Sequence, residues 1–152
     1  INVSVKIARI SNPYGYKANF SKAQGLIPVV INNMLEGQSI EIWGNGTNVR
    51  DYLYIDDLIN GMIKYLEYDG NEKVINIGSG QGHSVNEILG LIEASLKMPY
   101  RVDYQPPRDF DVKENILSIE KARSCLGWSP RVDICAGIEK TINEMKINPN
   151  RL

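Results

Sequence analysis

Two short apolar runs of the kind found inside parallel sheets, Val3 to Ile10 and Lys73 to Ile77, stand among segments of helical periodicity and constrain the fold most strongly. In the first, Val3, Val5 and Ile7 alternate with Ser4 and Lys6, and the run closes on the turn cluster Ser11-Asn12-Pro13. In the second, Val74, Ile75 and Ile77 form a short buried-type strand. Strands alternating with helices predict an α/β fold. Two parallel strands make a poor sheet, because such sheets are normally covered on both faces and continued by further strands. The edge of the first run is therefore expected to be an unprotected pairing surface.

Residues 11 to 25 read as a polar loop, after which Ile27, Val30, Ile31, Met34 and Leu35 recur at helical spacing until Gly37. An apolar arm from Ile40 to Trp43 then leads through Gly44-Asn45-Gly46 into a second strand-like arm carrying Arg50. Leu58, Ile59, Met62, Ile63 and Leu66 predict a helix with Asp56 and Asp57 at its N-terminus, ending near Asp69-Gly70. Ser84 and Glu87 are spaced as a capping box ahead of a helix bearing Val85, Ile88, Leu89, Ile92 and Leu96. Arg101 to Gln105 reads as a strand, and Pro106-Pro107 stiffens the loop that holds Arg108. A short helix over Ser118 to Leu126 closes on Gly127, Asp133 starts a last helix, and Asn148 to Leu152 is expected to fray. No repeat or interdomain linker interrupts the 152 residues, which fit one domain able to bury roughly 70% of its unfolded surface.

Seventeen basic against eighteen acidic side chains give a net charge of -1, so no global field recruits nucleic acid or an anionic membrane. An anion must be bound by local arginines, and a strand-held guanidinium such as Arg50 suits phosphate or carboxylate oxygens. Solvation or pairing with Asp51 is the plainer role for Arg50, as pairing with Asp109 and Asp111 is for Arg108. Trp43 reads first as a core aromatic and second as a ring for stacking. Cys125, Cys135 and the single histidine, His83, cannot complete a four-ligand zinc site; the thiols are expected to be reduced packing residues and His83 a solvent-facing loop residue. The glycines at 78, 80 and 82 miss the G-x-G-x-x-G spacing, so Gly78 to Gly82 reads as a connecting turn, with cofactor pyrophosphate binding as the alternative. None of the eight tyrosines is followed four residues later by lysine, the pairing that would lower a phenol's pKa on a helix face. Neither a signal peptide nor a membrane span is expected, which with the thiols points to the cytoplasm.

Arg9-Ile10-Ser11-Asn12-Pro13-Tyr14-Gly15, Gly25-Leu26-Ile27-Pro28, Ile40 to Gly46, Val49 to Asp57, Asn76 to Gly80, Ser84 to Ile88, Arg108 to Asp111, Lys121-Ala122 and Leu126 to Pro130 form an ordered motif series. The series resembles the C-terminal half of an NAD-dependent nucleotide-sugar epimerase/dehydratase, an extended short-chain dehydrogenase similar to UDP-glucose 4-epimerases. That resemblance implies an α/β fold made of the last Rossmann strands, about 3–10 and 73–77, and a small substrate-binding α/β lobe. The glycine-rich NAD loop and the catalytic tyrosine and lysine would lie in an N-terminal half absent from residues 1–152, leaving the chain inactive alone and its first strand without a neighbour. An intact enzyme would be a homodimer; the fragment would self-associate through Val3 to Ile10.

Residue by residue, the resemblance implies that Asn12, Arg50 and Arg108 meet the diphosphate of a UDP-sugar. Leu26, Glu41, Ile42 and Trp43 would line the uridine pocket and Asp111 would meet the ribose. Ile10 and Pro13 would lie near the nicotinamide of NAD. Asn115 stands where the family gates sugar-pocket size, and its lack of an aromatic ring is expected to admit N-acetylated sugars. Tyr16 departs from the family's proline. Dehydratase or decarboxylase chemistry, or a non-catalytic nucleotide-binding module, are the alternatives.

Overall fold

The structure, a computed structural model, describes residues 5–15 and 25–147. Val3, Tyr16 and the tail from Asn148 lie outside those residues. The chain runs β1 (Ile7–Ile10), β2 (Asn12–Tyr14), α1 (Leu26–Leu35), β3 (Ile40–Trp43), β4 (Val49–Tyr54), α2 (Ile55–Glu67) and β5 (Val74–Ile77). It continues through β6 (Gly82–Ser84), α3 (Val85–Leu96), β7 (Val102–Gln105), β8 (Glu114–Asn115), α4 (Glu120–Leu126) and α5 (Ile134–Ile147).

β1 pairs in parallel with β5, Ile7 opposite Val74 and Ile10 opposite Ile77, as the two apolar runs predict. The strand is shorter than the Val3 to Ile10 pattern, and Lys6 does something the alternation cannot reveal. Its ammonium donates to the carbonyls of Tyr65, Leu66 and Tyr68, closing the C-terminus of α2, where a helix leaves its last carbonyls without internal partners. Among the described residues β1 has no second neighbour, and Val5, Ile7 and Ile10 are exposed along it.

The two arms around Gly44-Asn45-Gly46 do not pair with each other. β3 runs parallel to β7, whereas β4 pairs with β2 and β8 in parallel and with β6 antiparallel. The turn docks on α3 instead: Asn86 donates its backbone N–H to the Gly46 carbonyl and its side-chain amide to the Asn45 carbonyl. A Cβ on Gly46 would lie 2.1 Å from Asn86 Oδ1, so the docked turn requires glycine there. Asn12–Tyr14 is likewise a strand inside the segment that reads as loop, because its partners in β4 are 40 residues away (Asn12 with Tyr52, Tyr14 with Tyr54) and leave no local signal.

β4 separates two cores. Tyr52 and Tyr54 join α1, α3 and α5, with Ile31, Ile88 and Ile138, while Leu53 joins β5, α2 and α4, with Tyr65, Ile77 and Trp128. This is period-two alternation in a strand buried on both faces. Most helix ends fall where their sequences predict, although α4 starts at Glu120 instead of Ser118 and α2 ends at Glu67, ahead of Asp69-Gly70. Ser84 and Glu87 form the capping box, Asp133 accepts the Ala136 N–H, and Gly127 closes α4 with φ +55°. Cys125 is half-buried, but Cys135 is exposed and packs nothing away.

Candidate functional site

Along β3, Ile40 and Ile42 point into the core and Glu41 and Trp43 point out. Trp43 is 40% exposed, which overturns its reading as a core aromatic. Its indole N–H donates to Glu41 Oε1 at 2.8 Å, and the Arg108 guanidinium lies 3.9 Å from its ring centroid, within cation–π range. Pro106 and Pro107 make this approach possible by holding the segment after β7 out of helical conformation. Between them lies a cleft of ≈ 420 Å³ lined by Trp43, Asn45, Gln105, Arg108, Asp111 and Lys113. An exposed indole beside a guanidinium and an ammonium suits a flat ring carrying anionic groups.

Arg50 is half-buried on β4 and donates to the Val49 carbonyl at 2.8 Å. It forms no pair with Asp51, which projects to the other face of the strand. Asp51 is 1% exposed: its Oδ1 accepts the Ser79 N–H at 2.8 Å and hydroxyl at 2.6 Å, and its Oδ2 accepts the N–H groups of Gly80 at 3.1 Å and Leu117 at 3.2 Å. The N–H groups of Ser79 and Gly80 are therefore spent on an internal carboxylate and that of Gln81 on the Ser79 hydroxyl, which argues against this turn as a pyrophosphate cradle. Asp57 is likewise more than a helix-favouring acid, because its Oδ2 accepts the N–H groups of Arg131 and Val132, both at 2.9 Å.

Register places Asn115 of β8 and His83 of β6 on either side of Arg50. His83 is thus a half-buried strand residue, not a solvent-facing loop residue. Asn12 joins the same sheet through β2, its amide donating to the Asp51 carbonyl at 3.0 Å. Two of the residues implied for the uridine pocket sit differently. Leu26 packs half-buried against the core at the start of α1, and the Ile42 side chain is buried in it, so neither side chain opens onto a pocket as a free wall. Lys113, Gln105 and Asn45 in the cleft escape sequence reasoning; only the position of Lys113, two residues past Asp111, offers a signal.

For a nicotinamide cofactor the fit is partial. The C-terminal end of the parallel pair β1–β5 exposes Ile10 and Pro13, an apolar shelf where open α/β sheets bind dinucleotides, and Ser11 Oγ is buried there without a partner. The cradle for the cofactor's pyrophosphate is not among the described residues.

The tyrosines of β2 and β4 are held neutral. Burial and the charges of Glu144 and Asp56 push Tyr54 up to about 12, and burial raises Tyr14 and Tyr52, the latter against the opposing charge of Arg50. The described residues contain no group of acids, histidines and cysteines able to hold a metal ion, and no helix among them is long and apolar enough to cross a membrane.

Parallel strands flanked by helices, with Arg108 stacked on an exposed indole beside an open cleft, define an α/β protein. Residues 2–78 match the NAD dependent epimerase/dehydratase family, and the chain belongs to that family. It is 36% identical over 138 residues to dTDP-4-dehydro-6-deoxyglucose reductase of Escherichia coli, covering 91% of this chain and 44% of that protein. It is 29% identical over 132 residues to UDP-glucose 4-epimerase of Mycolicibacterium smegmatis, covering 87% of this chain and 42% of that protein. The crystal structure of Thermotoga maritima UDP-glucose 4-epimerase with UDP-glucose superposes with a TM-score of 0.88 at 32% identity, over 95% of this chain and 47% of that one. The chain thus spans about half the length of the relatives it matches.

Proposed function

We propose that the chain is the C-terminal, substrate-binding portion, residues 1–152, of an NAD-dependent nucleotide-sugar epimerase that acts on a UDP-hexose in the manner of UDP-glucose 4-epimerase. The observation that carries this reading is the Arg108–Trp43 stack over an open cleft, in a family whose members process nucleotide sugars. Trp43 and Glu41 take the base, Asp111 the ribose, and Arg108, Arg50 and Asn12 the diphosphate. Asn115, beside Arg50, faces the sugar. When bound, NAD supplies hydride exchange at the sugar's C4, with Ile10 and Pro13 flanking its ring.

Exposed Ile7 and Ile10 on β1, Val5 just before it, and Ile59, Ile63 and Leu66 on α2 support a further part of the reading, that another Rossmann segment bearing the catalytic tyrosine and lysine docks here. On this reading the chain alone binds but does not turn over substrate, and the intact enzyme is a cytoplasmic homodimer.

Calorimetric titration with UDP tests the binding assignment. Hydrogen bonds to a charged group contribute about 1.5–3 kcal/mol, so Arg50→Ala should weaken UDP roughly 10- to 150-fold. Unchanged affinity removes Arg50 from the site. Similarities to a reductase, a UDP-glucuronic acid decarboxylase and a dTDP-glucose 4,6-dehydratase favour a second reading within the family, reduction, dehydration or decarboxylation of a nucleotide sugar. Product analysis of the chain joined to its N-terminal half, with UDP-glucose, UDP-N-acetylglucosamine and UDP-glucuronate, separates these reactions from epimerisation.

A further inference from the structure

Arg108 and Trp43 occupy each other. The guanidinium lies 3.9 Å from the indole centroid and so covers one face of the ring. Asp109 and Asp111 line the same cleft, but among the described residues the guanidinium sits on the ring and pairs with neither. The indole N–H donates to Glu41 Oε1 at 2.8 Å, and a carboxylate accepting that bond leaves electron density on the ring, which strengthens its hold on a cation.

The backbone under Arg108 is fixed on both sides. Pro107 lies against the turn that precedes β4, where a Cβ on Gly44 would be 3.7 Å from it, and the Arg108 carbonyl accepts the Asp111 N–H at 3.1 Å. Release of the ring is therefore a side-chain rotation and not a loop opening. Arg108 is exposed, so that rotation meets no packed core. A flat base that stacks on the covered face has to displace the guanidinium, because two groups cannot share one ring face at van der Waals distance. An uncharged nucleoside offers the displaced cation nothing in exchange for the ring. A nucleotide offers it phosphate oxygens, which match its planar donor fork.

We propose that Arg108 is a specificity-determining residue that acts by occupying the Trp43 ring: it bars uncharged nucleosides from the cleft and yields the ring only to a ligand whose phosphate receives the guanidinium. This inference rests on the nucleotide reading of the cleft and adds a ground for selectivity that phosphate contact alone does not give.

Trp43 and Trp128 are the chain's two tryptophans and Trp128 is buried, so Trp43→Phe supplies the background for following Trp43 by fluorescence during titration with uridine or UDP. Arg108→Ala should make uridine bind about 2- to 5-fold tighter, the worth of an exposed cation–π contact. The same variant should bind UDP about 3- to 50-fold more weakly, because the lost charge-assisted bond outweighs the released ring. Local unfolding weakens both ligands, and a residue that only contacts phosphate leaves uridine unchanged; neither gives changes of opposite sign. The arginine itself is a second reporter. Its δ-proton resonances, identified by their loss in Arg108→Ala, should lie upfield under the indole ring and return to ordinary values on saturation with UDP. Uridine binding that is unchanged, weaker or undetectable in Arg108→Ala overturns the proposal, as do δ-protons that stay upfield under saturating UDP. UDP binding that is sensitive to Arg108→Ala with no gain for uridine removes the ring competition and leaves the proposed function standing. A chain that binds neither ligand, with or without the substitution, removes both.

Discussion

Replacing Asp51 by asparagine changes one oxygen to an NH2 group at nearly constant volume. Both carboxylate oxygens accept two hydrogen bonds, so whichever is replaced, two donors lose an acceptor and face another donor in a site closed to water. Hydrogen bonds to charged groups contribute about 1.5–3 kcal/mol, and a buried donor left unbonded costs about 1–3 kcal/mol. The bonds share one carboxylate and are not additive, which brings the expected loss to about 2–4 kcal/mol. For a domain of this size that lowers Tm by roughly 4–16 °C. Relaxation of the turn has little room, because a Cβ on Gly78 would already sit 2.6 Å from Asp51 Oδ2 and 3.2 Å from the Leu117 side chain. Urea unfolding followed by circular dichroism measures the loss, with an unchanged m-value as the sign that only stability moved. Ser79→Ala removes the hydroxyl's bond to Asp51 together with the acceptor of the Gln81 N–H and should cost about 1–2 kcal/mol. An Asp51→Asn midpoint equivalent to a loss under about 0.5 kcal/mol would refute the assignment of the carboxylate as the clasp joining β4 to the Gly78 to Gly82 turn and to Leu117.

Gly137→Ala should destabilise α5 by about 1–3 kcal/mol, since the new Cβ would lie 1.9 Å from the Tyr14 hydroxyl; a double-mutant cycle with Tyr14→Phe should recover part of that loss, because the next contact, to the ring carbon, is 2.8 Å. The Ser84 backbone and hydroxyl lower the pKa of Glu87, so its contribution is present above the ordinary carboxylate range and lost as pH falls through the folded value. The protection factors of amides at the start of α3 should accordingly fall in acid, and Glu87→Gln should flatten that dependence.

Much of the fold is legible because helix ends are written locally. The capping box at Ser84 and Glu87, the Gly127 stop and the Asp133 cap all involve residues within a few positions of each other. The parallel pair β1–β5 is legible from its apolar runs. Strand partnership elsewhere is not, because Ile40 meets Val102 and Arg50 meets both His83 and Asn115 across intervals in which the backbone leaves no signature. The Gly44-Asn45-Gly46 segment reads as a turn between two strand-like arms, but that it is held by Asn86 at the head of α3 is not legible from it. The same limit governs the site. Arg50 and Arg108 are recognisable as anion-seeking residues, but Asp51 beside Arg50 has the same composition-level meaning as any paired acid until Ser79 and Leu117 are brought to it.

The separation of β3 from β4 has a mechanical side. Trp43 belongs to the ribbon β3–β7, whose continuation through Pro106 and Pro107 carries Arg108; Arg50 belongs to the ribbon β4 shares with β6 and β8. A ligand engaging both therefore bridges two separately anchored jaws, and its reach from ring to phosphate is gauged as in a caliper. On the proposed assignment a nucleoside alone would meet only the Trp43 ribbon, whereas a diphosphate would meet Arg108 on that ribbon and Arg50 on the other, so joining them in one molecule would add effective concentration to the sum of the two grips.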